Sequence, residues 1–395
     1  MSTEKIIAMD KENVMQTYAR FDIAIDHGNG ATLYDPEGKE YIDFTSGIGV
    51  NSLGYGNEKW IDAVCAQAKK LPHISNLYHT EPCAKLAKEL NKKTGMSAVF
   101  FANGGGESNE GAIKLARKYS FDKYGLGRSK IITLLQSFHG RTVTTLAATG
   151  QESFHNYFFP FTEGFVYAKA NDIGDLKEAI GDDVCAVMIE LVQGEGGILP
   201  LDKEYVTAVA ELCKENDLLL IVDEVQTGVG RTGSLFAFQQ YGILPDVATF
   251  AKGIAGGLPL GGVMANKKCS AVLTAGTHAT TFGGNPIAAA AALSVLEQLS
   301  DEVLCEVTAK GNYIRDKIAS WNIPQIKEIR GLGLMIGVEI SGVELKEIVK
   351  SCISKGLLVL VAGTNTLRFL PPLIITYDEI DAGLEILKSV LEGAK

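Results

Sequence analysis

Three charged side chains follow short apolar runs whose length suits buried β-strands. The run at residues 218–222 (LLLIV) ends on Asp223 and Glu224, and the run at residues 247–251 (VATFA) ends on Lys252. The interval between Asp223 and Lys252 is long enough for a loop, a helix and a second parallel strand. The C-terminal ends of parallel strands line the ligand crevice of an open α/β sheet, so the sequence predicts an acid and an amine over one crevice.

A triple-glycine turn, residues 104–106, separates the apolar run AVFF from a helical pattern. Backbone N–H groups at such a helix N-terminus favour an anion such as phosphate, although the same residues suit a flexible turn with Glu107 and Asn109 as helix caps. Pyridoxal phosphate requires a lysine for covalent attachment, a carboxylate that keeps the ring nitrogen protonated, and a cradle for its phosphate. Lys252, Asp223 and the glycines together therefore predict a pyridoxal-phosphate site.

Four further residues follow or flank apolar runs and could complete a substrate site. In SFHGR, Phe138 could stack on a flat ring and Arg141 could bind a carboxylate, the alternatives being a core aromatic and a surface ion pair. Arg368 is flanked by apolar residues in TNTLRFLPP and must be paired if it is buried. Glu195, in the loop QGEGG, is the candidate partner.

Composition excludes several classes of protein. With 395 residues, 46% of them hydrophobic, the chain can form a large core and two domains. A net charge of −10 argues against nucleic-acid and anionic-membrane partners. The most apolar helix-like stretch, residues 287–296, is about half of what a bilayer requires, so we expect no membrane span. The acidic first residues and seven cysteines without CxxC pairing lead us to expect a cytoplasmic protein with reduced thiols.

The order of elements predicts a two-part α/β architecture. Residues 1–54 resemble hairpin material that contributes to a small domain, and residues 55–286 alternate strands with helices as in a mostly parallel sheet. Residues 287–395 predict a smaller α+β domain.

Either Thr280 or Thr281, in GTHATTFGGNP, could donate to a phosphate or cap the next helix. None of the six histidines has metal-ligand spacing, so we expect no metal site.

The motifs resemble those of class III (subgroup II) pyridoxal-phosphate aminotransferases of fold type I, most closely its acetylornithine branch. The resemblance runs from about residue 18 to the C-terminus and includes FANGGGESNEGAIKLARKY, SFHGRT, QGEGG, VDEVQTGVGRTG, FAKGIAGGLPLGGV and TTFGGNP. It implies the type I fold: a large cofactor-binding domain with a mostly parallel sheet wrapped by helices, and a smaller α+β domain. Gly104 and Gly106 replace the serine and the alanine or threonine that are common in this family, so we expect a more flexible phosphate loop.

The resemblance also implies a role for each residue of the cofactor site. The cofactor-binding positions are Gly105, Gly106, Phe138, Asp223, Gln226, Lys252 and Thr281. Lys252 and Asp223 would be the catalytic residues, Lys252 as the covalent anchor and proton carrier and Asp223 as the partner of the ring nitrogen. Thr281 would reach the phosphate of the other subunit, which implies a homodimer with shared active sites.

The substrate-binding residues implied by the resemblance are Arg141, Glu195, Arg368 and Gly47. Arg141 would bind the distal carboxylate, and Arg368 the α-carboxylate of glutamate or 2-oxoglutarate. Glu195 would cover Arg368 when N-acetylornithine is bound. Gly47 stands where ornithine δ-aminotransferases carry a tyrosine, which favours an acylated donor.

Several alternatives stay open at this point. Ornithine, succinylornithine, succinyl-diaminopimelate and 4-aminobutyrate are other possible donors for the same site. Racemases and aminomutases share the cofactor core but do not need the pair of Glu195 and Arg368. A catalytically inactive scaffold is a different class, against which the intact Lys252 and Asp223 argue.

Overall fold

The computed structural model describes residues 1–394 of the chain. The helices are α1 (Thr3–Asn13), α2 (Ser46–Gly49), α3 (Glu58–Lys70), α4 (Glu81–Thr94), α5 (Gly105–Tyr124), α6 (Val143–Ala148), α7 (Ile173–Ala179), α8 (Lys203–Glu215), α9 (Ala237–Tyr241), α10 (Pro286–Gln298), α11 (Asp301–Ala319), α12 (Leu345–Ser354) and α13 (Tyr377–Gly393). The strands are β1 (His27–Asn29), β2 (Thr32–Tyr34), β3 (Glu40–Asp43), β4 (Ala98–Ala102), β5 (Lys130–Leu134), β6 (Phe165–Ala168), β7 (Val184–Ile189), β8 (Val192–Gln193), β9 (Leu199–Pro200), β10 (Leu219–Asp223), β11 (Val247–Phe250), β12 (Gly261–Ala265), β13 (Ile326–Leu332), β14 (Met335–Ile340), β15 (Leu357–Leu358), β16 (Leu360–Ala362) and β17 (Thr366–Phe369).

A seven-stranded sheet with the order β4-β12-β11-β10-β7-β5-β6 forms the centre of the large part of the molecule. The strands from β11 to β6 are parallel, whereas β12 is antiparallel to both of its neighbours. Strands β7 and β10 are buried along their whole length, as expected for strands that carry helices on both faces. The mixed α/β architecture predicted from the sequence is therefore confirmed.

The pairing of β10 with β11 places Asp223 and Lys252 at the same edge of this sheet. Val222 is opposite Ala248 and Asp223 is opposite Thr249 in a parallel register. Because Lys252 follows directly after β11, both residues emerge at the C-terminal end of the sheet.

Two four-stranded sheets are formed by residues near the ends of the chain. Strands β1, β2 and β3 form an antiparallel meander, and the C-terminal strand β15 pairs with β3 in parallel. Strands β13, β14, β17 and β16 form a separate antiparallel sheet. The N-terminal segment thus shares a sheet with C-terminal residues, while the domain boundaries at residues 54 and 286 stay a prediction.

A buried arginine connects three regions that are distant in sequence. The guanidinium of Arg231 donates to the carbonyl oxygens of Leu334 and Pro371 and to the hydroxyl of Ser46. Burial lowers the pKa of Arg231 to about 9, and the charge of Asp43 opposes that shift. The hydroxyl of Ser46 in turn donates to the carbonyl of Leu370 at 2.6 Å. Arg231 therefore holds the turn at Ser46 against the C-terminal part of the chain.

We predict that Arg231→Met lowers the free energy of unfolding by about 3 kcal/mol, because it leaves buried carbonyl oxygens without a donor. Urea unfolding followed by circular dichroism measures this loss. Arg117→Met is the matched control, since Arg117 also donates to two carbonyl oxygens, those of Ser129 and Glu163, but at the surface. Equal losses in the two variants would contradict the role given to Arg231.

Candidate active site

The carboxylate of Asp223 is buried at the end of β10 and contacts four other parts of the chain. One oxygen accepts from the amide of Asn109 at 2.7 Å and contacts His139 Nδ1 at 2.8 Å. The other oxygen accepts from the backbone N–H of Val225 at 3.0 Å and from the hydroxyl of Thr249 at 3.4 Å. These partners fix the position of the carboxylate and compensate for its loss of solvation.

The glycine turn predicted as an anion cradle forms the N-terminus of α5. Gly104 is the N-cap, and the first helical hydrogen bond runs from Ser108 N–H to Gly104 O at 3.0 Å. The N–H groups of the preceding turn have no intrahelical acceptor, which leaves them available to an anion. A Cβ on Gly105 would lie 2.7 Å from Val225 Cγ1, in the loop that follows β10. Only glycine therefore fits at this position of the cradle.

Lys252 begins a 3₁₀ turn (Lys252–Ala255) directly after β11. Its φ of 44° lies in the left-handed region, where a residue other than glycine stays only when its surroundings hold it. Burial lowers the pKa of the Lys252 amine, and the charge of Arg368 lowers it further, while Glu195 and Asp223 oppose the shift. A larger fraction of the amine is therefore in the nucleophilic, neutral form than for a surface lysine.

Arg368, on β17, is paired with Glu195 as the sequence suggested. Its Nη1 donates to Glu195 and lies 3.4 Å from the Gln226 side-chain oxygen. The side chain of Arg368 is only 4% exposed, whereas that of Glu195 is 27% exposed. Burial raises the pKa of Glu195, but the charge and hydrogen bond of Arg368 outweigh it and hold that pKa below its ordinary value. Glu195 is thus the more movable partner of the ion pair.

Phe138 and Arg141 line the mouth of the same cavity. The Arg141 guanidinium lies 4.2 Å from the ring centre of Phe154 and 5.5 Å from that of Phe138. These cation–π contacts orient the guanidinium while Arg141 itself stays exposed. Both residues are therefore placed where an incoming substrate would meet them.

Four of the predicted site residues do not line this cavity. Glu195 and Arg368 lie next to it, where both contact Gln226, which does line it. Gly47 is exposed in a left-handed turn with φ of 65°, close to Val50, which does line the cavity. Thr281 is also exposed and lines a different surface depression, together with the segment from His73 to Thr80. Within a single chain the structure therefore does not bring Thr281 to the cradle at Gly105.

Several further residues at the site were not predicted from the sequence, although the sequence contains patterns that could have identified some of them. Glu190 follows β7 just as Asp223 ends β10, and the same pattern of a charge after an apolar run could have found it. His139 lies within SFHGR, and Asn109 had been interpreted as a helix cap. Val225 lines the cavity from the side of β10.

The residues present fit pyridoxal phosphate. The cavity has a volume of about 710 Å³ and is lined by the glycine cradle, Phe138, Asp223, Gln226 and Lys252. His139 Nε2 and Asn109 Oδ1 are buried beside Asp223 without a partner, so the polar cluster has capacity for more hydrogen bonds. No group of His, Cys, Asp or Glu residues in the described part of the chain has the arrangement of a metal site. The donors thus suit an anionic, flat, nitrogen-containing ring rather than a metal ion.

Comparisons with known proteins agree with this chemistry. The family model described as Aminotransferase class-III matches residues 14–391. The acetylornithine aminotransferase of Haemophilus ducreyi is 51% identical over 393 residues, which are 99% of each chain.

Solved structures give the same result. An ornithine aminotransferase from Toxoplasma gondii, whose structure shows partial occupancy of PLP at its active site, has a TM-score of 0.96 at 33% identity, covering 99% of this chain and 94% of the other. The N-acetylornithine aminotransferase of Stenotrophomonas maltophilia has a TM-score of 0.85 at 35% identity, covering 98% of both chains. The resemblance seen in the motifs is confirmed, and the chain belongs to the class-III aminotransferase family.

Proposed function

We propose that the protein transfers the terminal amino group of N2-acetyl-L-ornithine to 2-oxoglutarate, giving N-acetylglutamate 5-semialdehyde and L-glutamate, a step of arginine biosynthesis. Pyridoxal 5′-phosphate is the cofactor. The observation that carries the proposal is a cavity lined by Lys252, Asp223 and Gln226, with the ion pair of Glu195 and Arg368 in contact with Gln226. Relatives of 41–51% identity that carry the name acetylornithine aminotransferase support the choice of donor.

The chain's own residues divide the chemistry between them. When bound, pyridoxal phosphate supplies a carbonyl carbon that takes up the amino group and a ring that accepts an electron pair. Lys252 Nζ would hold the cofactor covalently at rest; once the substrate amine has displaced it, the free amine would take the proton from the substrate carbon that bears the amine. Asp223, fixed by Asn109 and His139, keeps the ring nitrogen protonated. The cradle at Gly105 and Gly106 anchors the phosphate.

The pair of Glu195 and Arg368 allows one site to accept two kinds of substrate. The reacting carbon of glutamate bears a carboxylate, whereas the reacting carbon of N-acetylornithine bears none. Glu195 neutralises Arg368 when the donor is bound and moves aside when a substrate carboxylate takes its place. An uncompensated buried arginine is thereby avoided in both half-reactions. Arg141 binds the carboxylate at the far end of either substrate.

We further propose that the protein is a homodimer in the cytoplasm. Exposed Leu77 and Tyr78 line the depression at Thr281, and exposed Phe282 is the next residue in the chain. Large apolar side chains in such a group are typical of subunit interfaces. A second copy placed there would let Thr281 serve the phosphate cradle of its partner. All seven cysteines are free, the form that a reducing cytoplasm maintains. No helix in residues 1–394 is long and apolar enough to span a membrane.

The covalent role of Lys252 predicts that Lys252→Ala loses the visible absorbance of the bound cofactor and all transamination. Lys310→Ala is the matched control, because burial also lowers the pKa of Lys310, which lies outside the cavity. Absorbance spectra with N-acetylornithine alone test the first half-reaction. If the wild-type spectrum does not shift to that of the aminated cofactor, the protein is not an aminotransferase for this donor.

If Glu195 covers Arg368 for one substrate and moves aside for the other, Glu195→Gln should change kcat/KM differently for the two substrates. We call this exchange of partners at Arg368 the switch. Steady-state kinetics should show kcat/KM for N-acetylornithine reduced about tenfold or more, while kcat/KM for glutamate is unchanged or higher, because Arg368 is left uncovered. Asp381→Asn is the control, since Asp381 pairs with Lys317 at 2.6 Å and neither residue lines the cavity. A parallel fall for both substrates in Glu195→Gln would reject the switch.

The donor preference predicts that N-acetylornithine has a higher kcat/KM than ornithine, succinyl-diaminopimelate or 4-aminobutyrate. Gly47→Tyr should lower the ratio of kcat/KM for N-acetylornithine to kcat/KM for ornithine about tenfold, because the tyrosine side chain fills space near the donor. The φ of 65° at position 47 also disfavours any side chain there. Gly38→Tyr controls for that backbone cost at a surface turn with φ of 85°. A wild-type preference for free ornithine would overturn the assignment of the donor.

A further inference from the structure

Glu190 is a buried carboxylate that none of the steps above uses. It follows β7 directly, lines the cavity, and is only 5% exposed. Its Oε2 accepts from the backbone N–H of Phe138 at 2.8 Å, and its Oε1 accepts from the backbone N–H of Gly194 at 3.3 Å. The two donors belong to different loops, one after β5 and the other after β8.

Each of these loops forms one wall of the active site. The first loop carries Phe138, the ring-stacking candidate, and His139, which contacts Asp223. The second carries Glu195, the movable half of the ion pair with Arg368. Gly194 is also pressed against Gln226, because a Cβ on Gly194 would lie 2.5 Å from the Gln226 side-chain oxygen.

We infer that Glu190 is a positioning residue whose ionised carboxylate ties the Phe138 wall to the Glu195 wall and so sets the cavity for both cofactor and substrate carboxylate. The identity of the substrate in this inference rests on the proposed function, whereas the two hydrogen bonds of Glu190 do not depend on it. Both partners of Glu190 are N–H donors and neither can accept a hydrogen bond. Only a side chain with an acceptor at each end can satisfy both.

A glutamine at this position would present an NH₂ group to one of the two N–H donors. That donor would then be buried without a partner, and its loop would be released. Protonation of Glu190 acts in the same direction, because the protonated oxygen carries an O–H donor and is a weaker acceptor for its N–H partner. Burial raises the pKa of Glu190 to about 7, the charge of His139 lowers it and that of Asp223 raises it. Lys252 is the remaining charged group coupled to Glu190.

Glu224 offers a matched control with a different hydrogen-bond chemistry. It is fully buried, burial raises its pKa to about 7, and its carboxylate accepts from Phe238 N–H at 2.7 Å and from the hydroxyl of Thr227. The Thr227 hydroxyl can also accept, so a glutamine at position 224 keeps both hydrogen bonds. Glu224 does not line the cavity.

The experiment compares Glu190→Gln with Glu224→Gln in the holoenzyme at about pH 8 and about pH 6, on either side of the pKa. At the higher pH we expect Glu190→Gln to raise the KM for 2-oxoglutarate and the dissociation constant of pyridoxal phosphate about tenfold each, with kcat changed less than about twofold. The visible circular dichroism of the bound cofactor should weaken, because the Phe138 wall has moved. At the lower pH the difference from the wild type should shrink, since the wild-type residue is then protonated.

Glu224→Gln should match the wild type in KM, cofactor dissociation and circular dichroism at both pH values. Equal effects of the two glutamine variants, or no effect of Glu190→Gln, would overturn the inference. Glu190→Asp keeps both acceptors on a shorter side chain and should raise KM by about threefold. If Glu190→Gln does not fold, an unchanged KM in Glu190→Asp would overturn the inference instead. Cofactor dissociation does not depend on the donor, so these outcomes remain distinct from a failure of the donor assignment.

Discussion

The structure depends on the requirement that a buried carboxylate, that of Asp223, have a full set of hydrogen-bond donors. An ionised carboxylate without partners would cost more free energy than a marginally stable domain has available. Its donors come from α5, from the loop after β5 and from β11, and each can reach it only if these elements are in register at one end of the sheet. The same contacts that compensate Asp223 therefore also bring the glycine cradle, Phe138 and Lys252 around a single cavity.

The charges within that cavity explain why a lysine can act there. Lys252 and Arg368 are both cations, and their mutual repulsion adds to burial in favouring the neutral amine. Asp223, Glu190 and Glu195 oppose the effect, and without them the two cations would not be retained together. Because Glu195 is bound to Arg368, replacing it with a substrate carboxylate leaves the local charge nearly unchanged. The amine can thus keep its reactivity through both half-reactions.

The main features of the fold, and the place of Asp223 and Lys252 at one end of the sheet, could be predicted from the sequence because they depend on local patterns. Apolar runs of strand length located β4, β10 and β11, and the charge after a run located Asp223 and Lys252. Strand β12 (GGVMA) was missed, since its glycines disfavour a strand and only the pairing with β4 and β11 stabilises it. A Cβ on Gly262 would lie 2.5 Å from Phe100 O, so its glycine is required by close neighbours that the sequence does not reveal. Gln226 came from the resemblance alone, as did the choice of Thr281 over Thr280. Glu190 acquires its meaning only when two loops meet at its carboxylate.

The site therefore combines a rigid half with a movable half, and hydrogen bonding explains the difference. Asp223 has a donor on each oxygen and is 3% exposed, so any displacement would break several bonds at once. Glu195 has one strong partner and its side chain is 27% exposed, and Arg368 Nε is buried without any partner within residues 1–394. A substrate carboxylate can offer Arg368 two oxygens and satisfy more of its donors than Glu195 does. We therefore propose that exchange of the ion pair is driven by hydrogen bonds that the resting state lacks, while the cofactor half stays fixed for the proposed proton transfer at Lys252.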